Sequence, residues 1–348
     1  MLVLAITLLG ALKPAAPMPP FDGATAWINS APLTPQSLRG KVVLVDFWEY
    51  TCLNCLRTLP YLREWYHRYA ADGFTIVGVQ TPEFHFSGEA GQVRDAVRRL
   101  GITWPVALDD DRAIWNHYGI DEWPTELLFD QQGHLVDVQL GEGNYPHTES
   151  EIQALLKRAQ PNLQLPPLMA LLPQDSYDKP GAVCYPRTGE ILIAQTPIAD
   201  APRFGDPSTD LRYADSGSHR DGAVYLDGYW SATHEAVVFG GGGGYADLAY
   251  HAIEVTAVMT PGRSATRVVV TQDGKPVPRA DAGSDLRFDP NGTSYIDVDA
   301  SRSYDIIDNA AFGHHDLRLS PQGYGLALYD IDFESCEVPG SLGHPAPG

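Results

Sequence analysis

Two of the four cysteines stand three positions apart in DFWEYTCLNCLRTLP, residues 46–60. A Cys-x-x-Cys unit can share a metal, close a small structural ring, or exchange disulfides with another molecule. Zinc needs about four ligands, commonly drawn from two such units. Here Cys184 and Cys336 are isolated, and no histidine sits at ligand spacing beside Cys52, so no metal is expected. A ring closed over two intervening residues constrains little of the unfolded chain and stabilises weakly. The flanking pattern favours redox exchange. GKVVLVDFW, before the pair, has the length and β-branching of a buried strand. After the pair, Leu59, Leu62, Trp65, Tyr66 and Tyr69 fall on one side of a helix that contains Pro60. A pair that follows a strand and opens a helix meets unpaired N–H groups and the positive end of the helix dipole. Both favour the thiolate, which is the nucleophile. Cys52, at the helix start, is the expected exposed attacker. Cys55, one turn in, is the expected buried resolving thiol.

The elements that must hold this pair read as an α/β domain over residues 21–160. FTIVGVQ (74–80) is a second buried strand, and Val93, Val97 and Leu100 make a helix stripe. WPVALDD (104–110) ends a strand, and DRAIWNHYG (111–119) is a short helix. TELLFDQQGHLVDVQLG (125–141) is a hairpin turning at residues 131–133. Thr148 and Glu151 form a capping box for a last helix carrying Ile152, Leu155, Leu156 and Ala159. Residues 161–220 are a proline-rich linker with one short strand at 190–194. Residues 221–338 read as an all-β, jelly-roll-like sandwich domain, with short strands between Gly, Asp, Asn and Pro clusters. Asp273–Gly274 is a hairpin turn. In the last strand Ala327, Tyr329, Ile331 and Phe333 alternate with Leu328, Asp330, Asp332 and Glu334, one face in and one out. GGGGG (240–244) reads as a flexible loop, and His314 and His315 fall in another. The tail at 339–348 is expected to be disordered.

The formal charge of −20 repels phosphate backbones, so nucleic acid is not an expected partner. Residues 1–20 begin with an apolar run too short to span a bilayer. They read as a secretion signal or membrane anchor, placing the body of the protein outside the cytoplasm. Cys184 and Cys336 bracket the β-domain and are candidates for a structural disulfide there, the alternative being two free thiols. Tyr225, Tyr229, Tyr245 and Tyr250 fit either sugar stacking or cross-strand packing.

LVDFWEYTCLNCLRTLP resembles the active-site segment of thioredoxin-fold proteins, with Asp46 six residues before Cys52 and Pro60 five after Cys55. GIDEWPTELLFDQQG (119–133) resembles the segment bearing that family's cis-proline, here Pro124. The surplus around residues 81–103 resembles the extra helix of the TlpA- and redoxin-like branch. YTCLNCLRTLPYLREW and VGVQTPEF are similar to the extracytoplasmic part of the DipZ group of thiol:disulfide interchange proteins. In that group a sandwich resembling a carbohydrate-binding module follows the thioredoxin-like domain. The resemblance implies a disulfide reductase or isomerase without a cofactor, acting on protein thiols and disulfides, as in cytochrome c maturation. It further implies a membrane electron donor and a glycan at the β-sandwich. Asp46 would be the buried carboxylate that accepts the proton of Cys55. Pro124 and Trp123 would hold an extended substrate. Trp48 and Trp123 would form an apolar rim, though each fits a core position equally well. Two alternatives stay open. A redoxin-type thiol peroxidase is one, although the chain has Glu49 three residues before Cys52, and its threonine, Thr51, is directly adjacent. The other is a glycan- or surface-binding protein with an accessory redox domain.

Overall fold

The computed structural model describes residues 16–172, 178–193, 195 and 210–338. The apolar start at 1–15 and the tail at 339–348 lie outside the described residues. The chain divides into two compact units, Met1–Asp178 and Lys179–Gly348.

The first unit contains β1 (Ala26–Ile28), β2 (Val42–Trp48), α1 (Leu53–Tyr69), β3 (Phe74–Gln80), α2 (Ala90–Arg99), β4 (Val106–Leu108), α3 (Ala113–Tyr118), β5 (Thr125–Phe129), β6 (Leu135–Leu140) and α4 (Tyr145–Ala159). The strands form one sheet in the order β1-β4-β3-β2-β5-β6. Strands β2, β3 and β4 are mutually parallel, and β1, β5 and β6 join antiparallel. This is the thioredoxin fold expected from the resemblance. Every residue of β2, β3 and β5 is buried, which requires cover on both faces of the sheet. On one face Val45, Phe47, Val79 and Leu127 pack with Ile114, Trp115 and Tyr118 of α3. Each such side chain contributes roughly 1.5–3 kcal/mol when fully buried, so the centre of the sheet is a stiff platform. Alternation sends Leu44, Asp46, Glu126 and Leu128 to the opposite face, on the side of α1 and α4.

The last helix departs from its expected start. It begins at Tyr145, with Asn144 as cap at φ 56°, and Thr148 is buried in its first turn instead of capping it. Pro146 explains the earlier start, because a residue with no N–H and a preset φ is favoured in the first turn of a helix. Beyond α4 the chain runs along this unit. Arg68 and Gln153 donate to the carbonyls of Pro167 and Pro166, and Leu172 N–H donates to Tyr61 Oη.

The second unit is all-β: β7 (Val183–Cys184), β8 (Ile191–Leu192), β9 (Leu211–Tyr213), β10 (Val224–Ala232), β11 (Val237–Thr260), β12 (Thr266–Gln272), β13 (Lys275–Pro276), β14 (Arg287–Phe288), β15 (Ser294–Val298), β16 (Arg302–Pro321), β17 (Ala327–Glu334) and β18 (Cys336–Glu337). Its named strands pair antiparallel, as in a β-sandwich. The long strands β11 and β16 run side by side. On its other edge β11 pairs with β10 over Val237–Leu248 and with β17 over Glu254–Thr260. One core joins them, including Trp230, Tyr250, Val255, Val270, Tyr304 and Ile331.

Three local expectations fail here. Gly240–Gly244 is not a loop but part of β11. Gly228 pairs with Gly244 and Trp230 with Phe239, so the intervening glycines bulge opposite Tyr229. Gly241–Gly244 all have positive φ, which only glycine adopts freely. His314 and His315 lie inside β16, paired with His251 and Tyr250. In β17 the alternation breaks at Tyr329, which is skipped between the pairs Met259–Leu328 and Val258–Asp330. That bulge flips the faces, so Leu328 and Asp330 are buried while Tyr329 is only half-buried.

Candidate active site

Strand β2 ends at Trp48, and three residues later the chain turns into α1. Cys52 is the N-cap of that helix, with φ −67° and ψ 116°. Its Sγ accepts the Cys55 N–H at 3.2 Å, and its carbonyl accepts the Leu56 N–H at 3.0 Å. Cys52 is half-buried and Cys55 is 1% exposed. The two are disulfide-bonded, with Cα atoms 5.3 Å apart. Thr58 Oγ1 donates to the Cys55 carbonyl at 2.7 Å, fixing the turn that carries the buried sulfur.

The turn is organised by Glu49, a residue to which sequence reasoning assigned no role. Its side chain is fully buried. Oε2 accepts the Thr51 N–H at 2.6 Å, the Cys52 N–H at 3.1 Å and the Thr51 hydroxyl. Burial pushes this carboxyl up, against the opposing pull of those donors. Glu49 thus fills the position where the peroxidase alternative calls for a threonine, and the adjacent Thr51 hydrogen-bonds to it.

Asp46 lies mid-strand in β2 and is 1% exposed. Neither of its oxygens has a hydrogen-bond partner among the described residues. Burial raises its carboxyl from 3.8 to about 7, the range in which an acid–base group exchanges protons near neutrality. Opposite it in the β2–β5 register stands Glu126, another acid that sequence reasoning did not single out.

The Trp123–Pro124 peptide is cis, immediately before β5. Pro124 is buried and Trp123 is half-buried. The Trp123 ring lies 4.5 Å from that of Trp115, and the Arg112 guanidinium sits 5.0 Å from its centroid. Trp48 is 1% exposed and belongs to the core. The structure thus places Cys52 and Cys55 at the start of α1 and Asp46 buried in the strand that leads into it, with Trp123 half-buried and Trp48 enclosed.

In the second unit Cys184 and Cys336 pair directly across β7 and β18. They are disulfide-bonded, with Cα atoms 4.0 Å apart. Of the four tyrosines considered for sugar stacking, Tyr225 and Tyr250 are buried, and Tyr245 packs under Arg318 at 3.8 Å. Tyr229 is 48% exposed and Tyr324 64%. Among the described residues one group has metal-ligand geometry, Asp215, His219 and Asp247. His219 Nε2 is 3.0 Å from Asp215 Oδ1, and Nδ1 is 3.3 Å from Asp247 Oδ1. Burial would lower the His219 pKa, but Asp215, Asp247 and Asp316 outweigh it and hold it up. The ring is thus held between carboxylates on both sides, Nε2 against Asp215 and Nδ1 hydrogen-bonded to Asp316 at 3.4 Å.

Residues 13–156 match the redoxin family, and residues 200–333 match the thioredoxin-like C-terminal domain. Protein DipZ of Mycobacterium bovis is 33% identical over 281 residues, 76% of this chain and 38% of DipZ. The chain thus spans about two fifths of that relative. The thiol-disulfide oxidoreductase ResA of Bacillus thuringiensis is 30% identical over 126 residues, 36% of this chain and 68% of ResA. A thioredoxin-family thiol:disulfide interchange protein from Chlorobium tepidum has a solved structure that is 27% identical, covers 42% of this chain and 98% of its own, and superposes with a TM-score of 0.36. Among the described residues no helix is long and apolar enough to cross a membrane.

Proposed function

Because the chain belongs to the redoxin-type, thioredoxin-like thiol-disulfide oxidoreductases, we propose that it exchanges the Cys52–Cys55 pair with disulfides of protein substrates outside the cytoplasm, as a reductant or isomerase. The carrying observation is the N-cap position of a half-buried Cys52 with Cys55 sealed one turn behind it. Cys52, as thiolate, attacks a substrate sulfur and forms a mixed disulfide. Cys55 then attacks Cys52 and releases the substrate thiol. Asp46 takes the proton that Cys55 loses, a role supported by its burial and its lack of hydrogen-bond donors. Pro124 donates no N–H, and with Trp123 it offers backbone and a ring edge to an extended substrate. Trp48, enclosed in the core, has no part in that rim.

A disulfide between Cys184 and Cys336 suits an oxidising compartment and supports the extracytoplasmic assignment. The electron source is proposed to be a membrane-borne dithiol. The exposed rings of Tyr229 and Tyr324 are proposed to stack on a sugar face. The test is insulin reduction with dithiothreitol as electron source. Wild type accelerates precipitation of the insulin B chain, and Cys52→Ser does not. A wild type no faster than dithiothreitol alone overturns the reading.

A further inference from the structure

Glu126 is a carboxyl on a central strand with almost no surface to reach. All five residues of β5 are buried, and the register sets Glu126 directly opposite Asp46 of β2. Directly opposed residues of an antiparallel pair point to one face, with Cβ atoms roughly 4.5–5.5 Å apart. That face is the one turned away from Val45, Phe47, Leu127 and Phe129, the side of α1 and its Cys55. Asp46 is 1% and Glu126 3% exposed. Among the described residues no cation pairs with Asp46 or Glu126, and nearby charged groups are engaged elsewhere. Asp137 of β6 is held 3.1 Å from His147 of α4. Glu149 of α4 takes the Tyr69 hydroxyl of α1 at 2.5 Å. Glu49 is bound to its own turn, and Arg57 of α1 pairs with Glu142 at 3.2 Å. Two neighbouring carboxylates without donors cannot both stay ionised in such a place.

We infer that Asp46 and Glu126 hold one proton between them at neutral pH and work as a single acid–base unit for Cys55, with Glu126 as the positioning residue that keeps the proton. The inference deepens the dithiol reading above and rests on it. Burial, then the adjacent Asp46 charge, pushes the Glu126 carboxyl well above its ordinary range, which agrees with the division of roles. In the resolving step the Cys55 S–H proton passes to the Asp46 carboxylate. The Cys55 sulfur bonds to the Cys52 sulfur, and the bond between Cys52 and the substrate sulfur breaks. The substrate leaves as a thiolate with the electron pair. Two electrons have moved from the dithiol to the substrate disulfide, and the proton on Asp46 returns to the thiolate or to water. When Glu126 also ionises, at higher pH, a second negative charge opposes the Cys55 thiolate and the rate falls.

The test compares wild type, Glu126→Gln and Glu126→Leu in single-turnover oxidation of the pre-reduced protein by insulin, followed by tryptophan fluorescence from pH 6 to 10. Carboxyl-carbon NMR titration of oxidised wild type and of Asp46→Asn runs beside it. Gln, neutral and still a donor, is expected to move the high-pH fall upward by more than about one pH unit and to lose less at pH 7 than Leu. Leu, without a donor, is expected to lose about tenfold at pH 7. In the titration, Glu126 and Asp46 respond together in two steps, and Asp46→Asn removes the coupling. A pH profile shared by wild type and Glu126→Gln overturns the inference. So does a Glu126 carboxyl that titrates in one step, indifferent to Asp46→Asn. If wild type does not react with insulin, the dithiol reading fails, and the titration alone decides whether the shared proton stands.

Discussion

The buried Asp46 carboxyl should cost stability, and the cost should depend on pH in a direction opposite to that of a salt-bridged aspartate. Its folded pKa is about 7 against 3.8 in the open. Between those values the folded state binds more protons than the unfolded state, so stability falls as pH rises. The cost is absent below about pH 3.8, grows through the window, and is complete above about pH 7. At about 1.4 kcal/mol per pH unit, the whole window is worth about 4 kcal/mol. Asp46→Asn, which cannot ionise, is therefore expected to stabilise the first unit by about 4 kcal/mol at pH 8 and by less than about 2 kcal/mol at pH 5. Six of the seven tryptophans lie in the first unit, so urea unfolding followed by tryptophan fluorescence reports it directly. The same variant should slow disulfide exchange, because the group that lowers stability is the one proposed to accept the Cys55 proton. Equal stability of variant and wild type at pH 8, or the same gain at both pH values, would refute the reasoning.

Cys55→Ser is expected to accumulate a mixed disulfide between Cys52 and substrate, seen as an added mass without reductant, whereas Cys52→Ser accumulates none. Glu49→Ala strips the acceptor from the Thr51 and Cys52 amides, and it should destabilise the first unit by at least about 2 kcal/mol in the same urea assay. Cys184→Ser should lower the stability of the second unit by up to about 5 kcal/mol by loop entropy, since the bridge spans 152 residues. Circular dichroism melting with and without reductant measures that loss.

The first unit was legible because its local signals agree with its global ones. Seven-residue apolar runs made β2 and β3, and helical spacing followed the Cys-x-x-Cys unit where the helix begins. Glu126 was not legible as a site residue. Within TELLF it reads as a strand residue free to face water, and only pairing with a strand some 80 residues upstream encloses it. Glu49 was hidden for a similar reason, since its role is to collect N–H groups from a turn whose shape the letters do not state. In the second unit composition misled. A glycine run has loop composition, yet the flanking pairs Trp230–Phe239 and Gly228–Gly244 keep it inside β11 as a bulge. One skipped residue at Tyr329 was enough to reverse a period-two pattern, because register is a property of the pair of strands and not of either alone.

The bridge between Cys184 and Cys336 has a mechanical consequence. It places the entry and exit of the strands β8 to β17 at one point, with 4.0 Å between Cα atoms. Tension applied through the flanking chain would pass across a covalent sulfur bond and bypass the hydrogen-bonded ladder. In a pulling experiment the oxidised second unit would transmit force without lengthening, and reduction would turn the same stretch into about 150 residues of extensible chain. The thiol–disulfide poise of the surroundings would then set how much load the sheet itself ever feels.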